Sequence, residues 1–259
     1  MNNYWTKEQL KLAFHLYCQL PFGRLHRRNP EIIELARLIN RTPSAVAMKL
    51  VNFASLDPAI INTGRSGLGN ASALDRQVWD EFQSDWEKLT MECVELSKKI
   101  RINNGDEPIL NTPSDHELDF IEDFTGETQL VIINQRIKQN FFRRMVLSSY
   151  QKRCCMSGLS EQRLLVASHI VPWSKDKKNR LNPRNGLCLS VLHDKAFDRG
   201  LITLTDDLRI AISSQLRCKN DKFIKDFLFP LDGCMIELPE RFLPDPQLIY
   251  RHQKEIFIQ

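Results

Sequence analysis

Between residues 164 and 198 the chain reads LLVASHI, then a basic loop, then NPRNG, LCLS and VLHDKAFD, an order that few folds can accommodate. LLVASHI is a short run of mainly apolar residues and reads as a strand ending near His169. Asn185-Gly186 is a turn signal, and GLCLS after it is a short partner strand. VLHDKAFD follows without a linker and reads as a helix. The expected unit is a strand pair packed on a helix. Three polar residues mark it: His169, then Asn185 sixteen positions on, then His193 eight further.

Charge is distributed unevenly around this unit. Residues 131–184 hold twelve Lys and Arg against Glu161 and Asp176, while residues 106–127 hold eight acids and no Lys or Arg. A concentrated positive field is what a polyanion binder needs. Within it, Arg143, Arg144, Lys175, Lys177, Lys178, Arg180 and Arg184 are the candidates for phosphate contacts, which position nucleic acid without reading it.

The first hundred residues read as helical. Asn29-Pro30-Glu31 and Thr42-Pro43-Ser44 each place a capping oxygen before a proline at the first helical position, where its missing N–H costs nothing. EIIELARLI and SAVAMKLVNF then repeat apolar residues at helical spacing, and TKEQLKLAFHLYCQL upstream is a third amphipathic helix. The short turn between the second and third suits a helix-turn-helix. On that reading Ser44, Ala45, Met48 and Lys49 face outward. Arg41 and Lys49, with the patch Arg24-Leu25-His26-Arg27-Arg28, are candidates for DNA contacts. Trp5, Trp79 and Trp86 are expected in the core, and a further helix is expected over about 74–100.

These segments predict an α+β protein. An all-α, tri-helical domain spans 1–100, an acidic linker 101–130, and a second domain 131–259. The chain has no run of about 18 apolar residues and no apolar leader at its start, so a soluble, cytoplasmic protein is expected. Its seven cysteines form no C-x-x-C pair, so no zinc knuckle or disulfide framework is expected, and Cys154, Cys155 and Cys188 read as core.

The blocks C-C-M-S-G, L-L-V-A-S-H-I-V-P-W, L-N-P-R-N-G-L-C-L-S and L-H-D-K-A-F-D-R-G-L-I-T-L occur in one order. With R-x-x-Q-x-x-F-R-R before them, they resemble the HNH nucleases of the His-Me finger group. More specifically, they are similar to the subgroup common in restriction-type and defence-associated endonucleases. The resemblance covers about residues 135–215 and implies a ββα-metal fold that hydrolyses phosphodiesters. It also implies His169 as general base, Asn185 as the residue fixing the hairpin and orienting that base, and His193 as ligand to one divalent cation, Mg2+ or Mn2+. Many relatives carry an Asp or His just before the base. Here that position is Ser168, so a second ligand is sought in Ser168, Asp198 or Asp194. The implied substrate is double-stranded DNA, with no membrane partner and a homodimer as a further expectation. A non-catalytic DNA-binding regulator and an RNA- or structure-selective nuclease remain open.

Overall fold

The computed structural model describes residues 4–62, 69–106 and 127–258. The chain divides into two compact units, Met1–Arg144 and Met145–Gln259.

In the first unit, Thr6 and Gln9 form a capping box that starts α1 (Lys7–Gln19). The Asn29 and Thr42 side chains cap α2 (Pro30–Leu38) and α3 (Pro43–Ala54), each with proline in the first turn. Between them Asn40 adopts φ 53°, the left-handed geometry that lets the chain reverse within a few residues. Then come α4 (Pro58–Asn62), α5 (Ala73–Ser84) and α6 (Trp86–Asn103). The core gathers on α1, where Phe14 lies 4.6 Å from Phe82, 5.0 Å from Phe53 and 5.3 Å from Trp79 between ring centroids. The helix expected over 74–100 is two helices. Asp85 leaves helical geometry (φ −153°, ψ 85°) and caps α6 by accepting from Lys88 N at 2.9 Å, which turns Trp86 into the core.

Helix α7 (Glu127–Ser149) spans the boundary between the units. Lys138 pairs with Glu87 at 2.6 Å and Phe141 stacks on His15 at 4.3 Å, so this part of α7 belongs to the first unit. The basic helix assigned from sequence wholly to the second domain therefore contributes to both. Most of the acidic segment expected as a linker lies outside the described residues.

In the second unit, β1 (Leu165–His169) pairs antiparallel with β2 (Gly186–Ser190), His169 opposite Gly186. Helix α8 (Val191–Asp198) starts directly after β2, with the Ser190 hydroxyl accepting from His193 N at 3.2 Å. A hairpin of β3 (Ile202–Leu204) and β4 (Ile210–Ile212) turns through Asp206 and Asp207. Two short helices, α9 (Ser214–Arg217) and α10 (Lys222–Phe227), lead toward α11 (Pro246–Glu255), which closes the unit. The mixture of helices with two small sheets is α+β, as expected. Among the described residues no helix is long and apolar enough to cross a membrane.

Helix α11 locks onto the strand-helix unit through buried polar contacts. The His252 ring hydrogen-bonds with Thr203 Oγ1 at 2.8 Å and the Phe197 carbonyl at 3.1 Å, and stacks on Phe197 at 3.7 Å. Burial pushes its pKa down to about 4, so it stays neutral there. After α8, Gly200 takes φ +67° and its carbonyl accepts from Ile258 N at 3.0 Å. A Cβ at Gly200 would overlap the Ile256 carbonyl oxygen and lie 2.9 Å from its carbon. Gly200→Ala is therefore expected to destabilise the protein by roughly 3 kcal/mol or more, from left-handed strain plus displacement of the tail. Urea unfolding measures this, and an unchanged midpoint would show that the tail does not seat against Gly200.

Candidate active site

His169 closes β1, and the loop that follows folds back over it. Its Nε2 lies 3.0 Å from the carbonyl oxygen of Arg180. A carbonyl can only accept, so Nε2 carries the proton in neutral His169 and Nδ1 keeps the lone pair. Burial holds the His169 pKa below its ordinary value. The Arg180 carbonyl and the charge of Asp194 oppose that shift but do not cancel it. At neutral pH the ring is a base with its proton-accepting nitrogen defined.

Asn185 holds the loop that does this. It is fully buried, its Oδ1 accepts from Val171 N at 2.8 Å, and its Nδ2 donates to the carbonyls of Val171 and Asn179 at 3.1 Å each. The amide acts on backbone at both ends of the loop, one residue short of the carbonyl that holds His169. Trp173 packs edge-on against the His169 ring at 5.6 Å, and the Arg180 guanidinium lies over Trp173 at 5.3 Å while donating to its carbonyl. The loop is thus a packed structure around the imidazole, in which Trp173 faces the base and not solvent alone.

His193 sits in the first turn of α8 and is 4% exposed. Its Nδ1 lies 3.3 Å from the sulfur of Cys154. Burial pushes the Cys154 thiol up, but hydrogen bonds with His193, Ser157 and the Met156 and Ser157 backbone outweigh it and bring it down to about 6. The sulfur is then a hydrogen-bond acceptor at neutral pH, with Nδ1–H as donor and Nε2 as the nitrogen able to bind a cation. A histidine held by its other nitrogen is the arrangement a metal-ligating imidazole needs. The sequence reads Cys154 as core. It is buried, but it also holds His193, and nothing in its spacing, thirty-nine residues upstream, signals that partnership.

The acids divide differently from expectation. Asp194 is the one whose charge reaches His169. Asp198 ends α8, exposed, its carboxyl raised by partial burial and by repulsion from Asp194, and it makes no hydrogen bond or ion pair among the described residues. Ser168 is 2% exposed and its Oγ has no hydrogen-bond partner among the described residues, an unmet polar group directly before the base. No group of three or more His, Cys, Asp or Glu able to hold a metal occurs among the described residues. Of the expected donors, the His193 imidazole is the one oriented by a second contact, from Cys154, and it fits a divalent cation at its other nitrogen.

The cations expected to contact nucleic acid separate into free and occupied ones. Lys175, Lys177 and Lys178 are exposed, and their side chains make no salt bridge or hydrogen bond among the described residues. Arg180 is engaged with Trp173, and Arg184 donates to the Leu243 carbonyl at 3.2 Å and faces Asp245 at 3.7 Å. Arg143 is half-buried and partnered, and Arg144 pairs with Glu31. Arg41 bonds Gln9 and the Tyr4 carbonyl and lies over Trp5. Lys49 corrects the helix-turn-helix reading. It is 9% exposed and pairs with Asp75 at 2.9 Å, because α5 covers the face of α3 from which it projects. Only Ser44 and Met48 of the four residues expected outward are exposed, and neither carries charge.

Residues 154–205, from Cys154 through the end of β3, match the HNH endonuclease family model. The segment is an HNH endonuclease domain. No curated protein matches the chain. The HNH domain is a nuclease domain, and the substrate class it implies is nucleic acid. Its limits enclose His169, Asn185 and His193 together with Cys154, so the side-chain contacts described for those residues lie within it.

Proposed function

We propose that the protein is a metal-dependent endonuclease that hydrolyses phosphodiesters of duplex DNA, with His169 as general base, in a restriction or defence role. The observation that carries this reading is the hydrogen bond from His169 Nε2 to the Arg180 carbonyl. It leaves Nδ1 as the basic nitrogen, and burial keeps the ring unprotonated. His169 takes the proton of the attacking water at Nδ1, and the imidazolium formed is steadied by the Arg180 carbonyl and by Asp194. Asn185 keeps that carbonyl in place through Asn179 and Val171. His193 Nε2, oriented by Cys154, would hold the cation, Mg2+ or Mn2+, with Ser168 Oγ as the second protein donor. When bound, the cation neutralises the phosphate and stabilises the leaving 3′ oxygen as a Lewis acid.

Lys175, Lys177 and Lys178 grip the backbone beside the cut. Replacing all three by Ala is expected to raise KM about tenfold or more near 0.1 M salt and to lower the salt dependence of binding, with kcat changed only a few-fold. The central test is plasmid nicking with Mg2+, Mn2+ and chelator, run beside single-stranded DNA and RNA. Cation-dependent nicking of duplex DNA is expected. Binding without cutting under every cation would mark a non-catalytic DNA-binding protein, and cutting confined to RNA would move the substrate.

A further inference from the structure

The first unit presents an exposed cluster of cations, the Arg24–Arg28 patch, which the helix-turn-helix reading places beside the α3 contacts as an accessory to them. It lies in the connection between α1 and α2. Arg24, His26, Arg27 and Arg28 are exposed, whereas Leu25 between them is buried and anchors the loop in the core. The backbone is fixed at several points. Arg24 N donates to the Pro21 carbonyl at 2.9 Å, Leu25 N to Phe22 at 3.1 Å, and Asn29 N to His26 at 2.9 Å. Asn29, 4% exposed, joins the loop to the helix, donating from Nδ2 to the Arg24 carbonyl at 3.0 Å and accepting from Glu31 N at 2.9 Å.

Many of the other cations around this core are spent on carboxylates. Arg76, Lys88, Lys98 and Lys99, which have no ion pair among the described residues, lie singly or in pairs on α5 and α6 and not on one ordered loop. Lys7 and Lys11 pair with Glu81 and Glu92, Arg37 and Arg101 with Glu34, Lys49 with Asp75 and Lys138 with Glu87. Glu31, the acid next to the loop in sequence, is taken by Arg144. Arg24, Arg27 and Arg28 have no ion pair or side-chain hydrogen bond among the described residues. Three guanidiniums on a backbone ordered in advance suit phosphate oxygens. The planar fork bonds two oxygens at once, and little main-chain freedom is lost on binding. On α3, by contrast, the charged residue expected to face DNA is buried in an ion pair.

We infer that the α1–α2 loop, through Arg24, Arg27 and Arg28, is a phosphate-binding surface for duplex DNA, and that this loop, not the exposed face of α3, gives the first unit its affinity for nucleic acid. The inference rests on the reading of the protein as a DNA nuclease. It is tested in the full chain carrying His169→Ala, by fluorescence anisotropy on labelled duplex DNA over about 50–200 mM salt. Arg24→Ala/Arg27→Ala/Arg28→Ala is expected to weaken binding at least about tenfold near 0.1 M salt and to lower the salt slope by about 2 to 3, at about 0.9 for each phosphate no longer neutralised. Arg→Gln at the same positions should behave alike. A control, Arg76→Ala/Lys98→Ala/Lys99→Ala, removes equal charge from exposed sites on α5 and α6 and should change the slope by less than about 1. Equal behaviour of the loop variant and the control overturns the inference, as does a loss seen on duplex RNA but not on DNA. If the parent chain binds DNA and the wild type nicks it while the loop variant binds unchanged, the loop assignment alone fails. If the chain neither binds nor cuts DNA, the nuclease reading fails and the inference with it.

Discussion

His169→Ala is expected to lower the rate of phosphodiester cleavage by about 10^2- to 10^4-fold while leaving DNA affinity within about twofold, because the variant lacks the proton acceptor and keeps every phosphate-binding cation. Single-turnover cleavage of a plasmid under excess enzyme, with anisotropy for binding, measures both; cutting retained at the wild-type rate would exclude His169 as the base. The pH profile of the wild type gives a second readout. The active form is the neutral ring, and burial lowers the His169 pKa in the folded protein. The rate should therefore be flat through neutral pH and fall on acidification, with a limb below the ordinary histidine value of about 6.5. A limb above that value would mean that the titrating base is a different group, or that the loop does not bury the ring as described.

Asn185→Ala is expected to destabilise the second unit by about 3 kcal/mol and to slow cleavage at least about tenfold, without weakening DNA binding. The side chain makes three hydrogen bonds to backbone, two of them buried and one part-buried, and its removal leaves the Val171 N–H and the carbonyls of Val171 and Asn179 without those partners. Each unmet buried group costs about 1–3 kcal/mol before relaxation. The rate effect follows from position. Asn179 precedes Arg180, so slack at Asn179 moves the carbonyl that holds His169 Nε2. Urea unfolding and single-turnover cleavage separate the two effects, and a variant as stable and as fast as wild type would show that the loop keeps its shape without the amide.

The three polar markers of the site are legible in the sequence because they belong to a local motif. A hairpin and the helix directly after it bring residues 169, 185 and 193 together through short-range geometry alone, and the caps on α2, α3 and α8 are likewise local. What the spacing does not show is how charges are spent. Lys49 lies on a helical face that looks outward when only α1, α2 and α3 are considered, but α5 packs there and presents Asp75. Arg180 and Arg184 look like phosphate grips in a basic loop, yet backbone carbonyls and the Trp173 ring take their guanidiniums. The break at Asp85 is hidden from a sequence reading because the apolar period continues across it, and the capping bond of one aspartate decides it.

Short-range chemistry in the chain is enough to specify the strand-loop-strand-helix unit, the helical start and the concentration of positive charge around the candidate site. Those properties follow from periodicity, capping and turn chemistry, which act over a few residues. Long-range packing is what makes the Arg180 carbonyl fix the tautomer of His169, sets the Cys154 sulfur against His193, and leaves the side chains of Lys175, Lys177 and Lys178 without partners among the described residues. It likewise leaves Arg24, Arg27 and Arg28 of the α1–α2 loop without an ion pair among the described residues. Each of these depends on partners distant in sequence, and a buried polar or charged group takes whichever partner the fold places beside it, because leaving it unpaired costs more than any local preference.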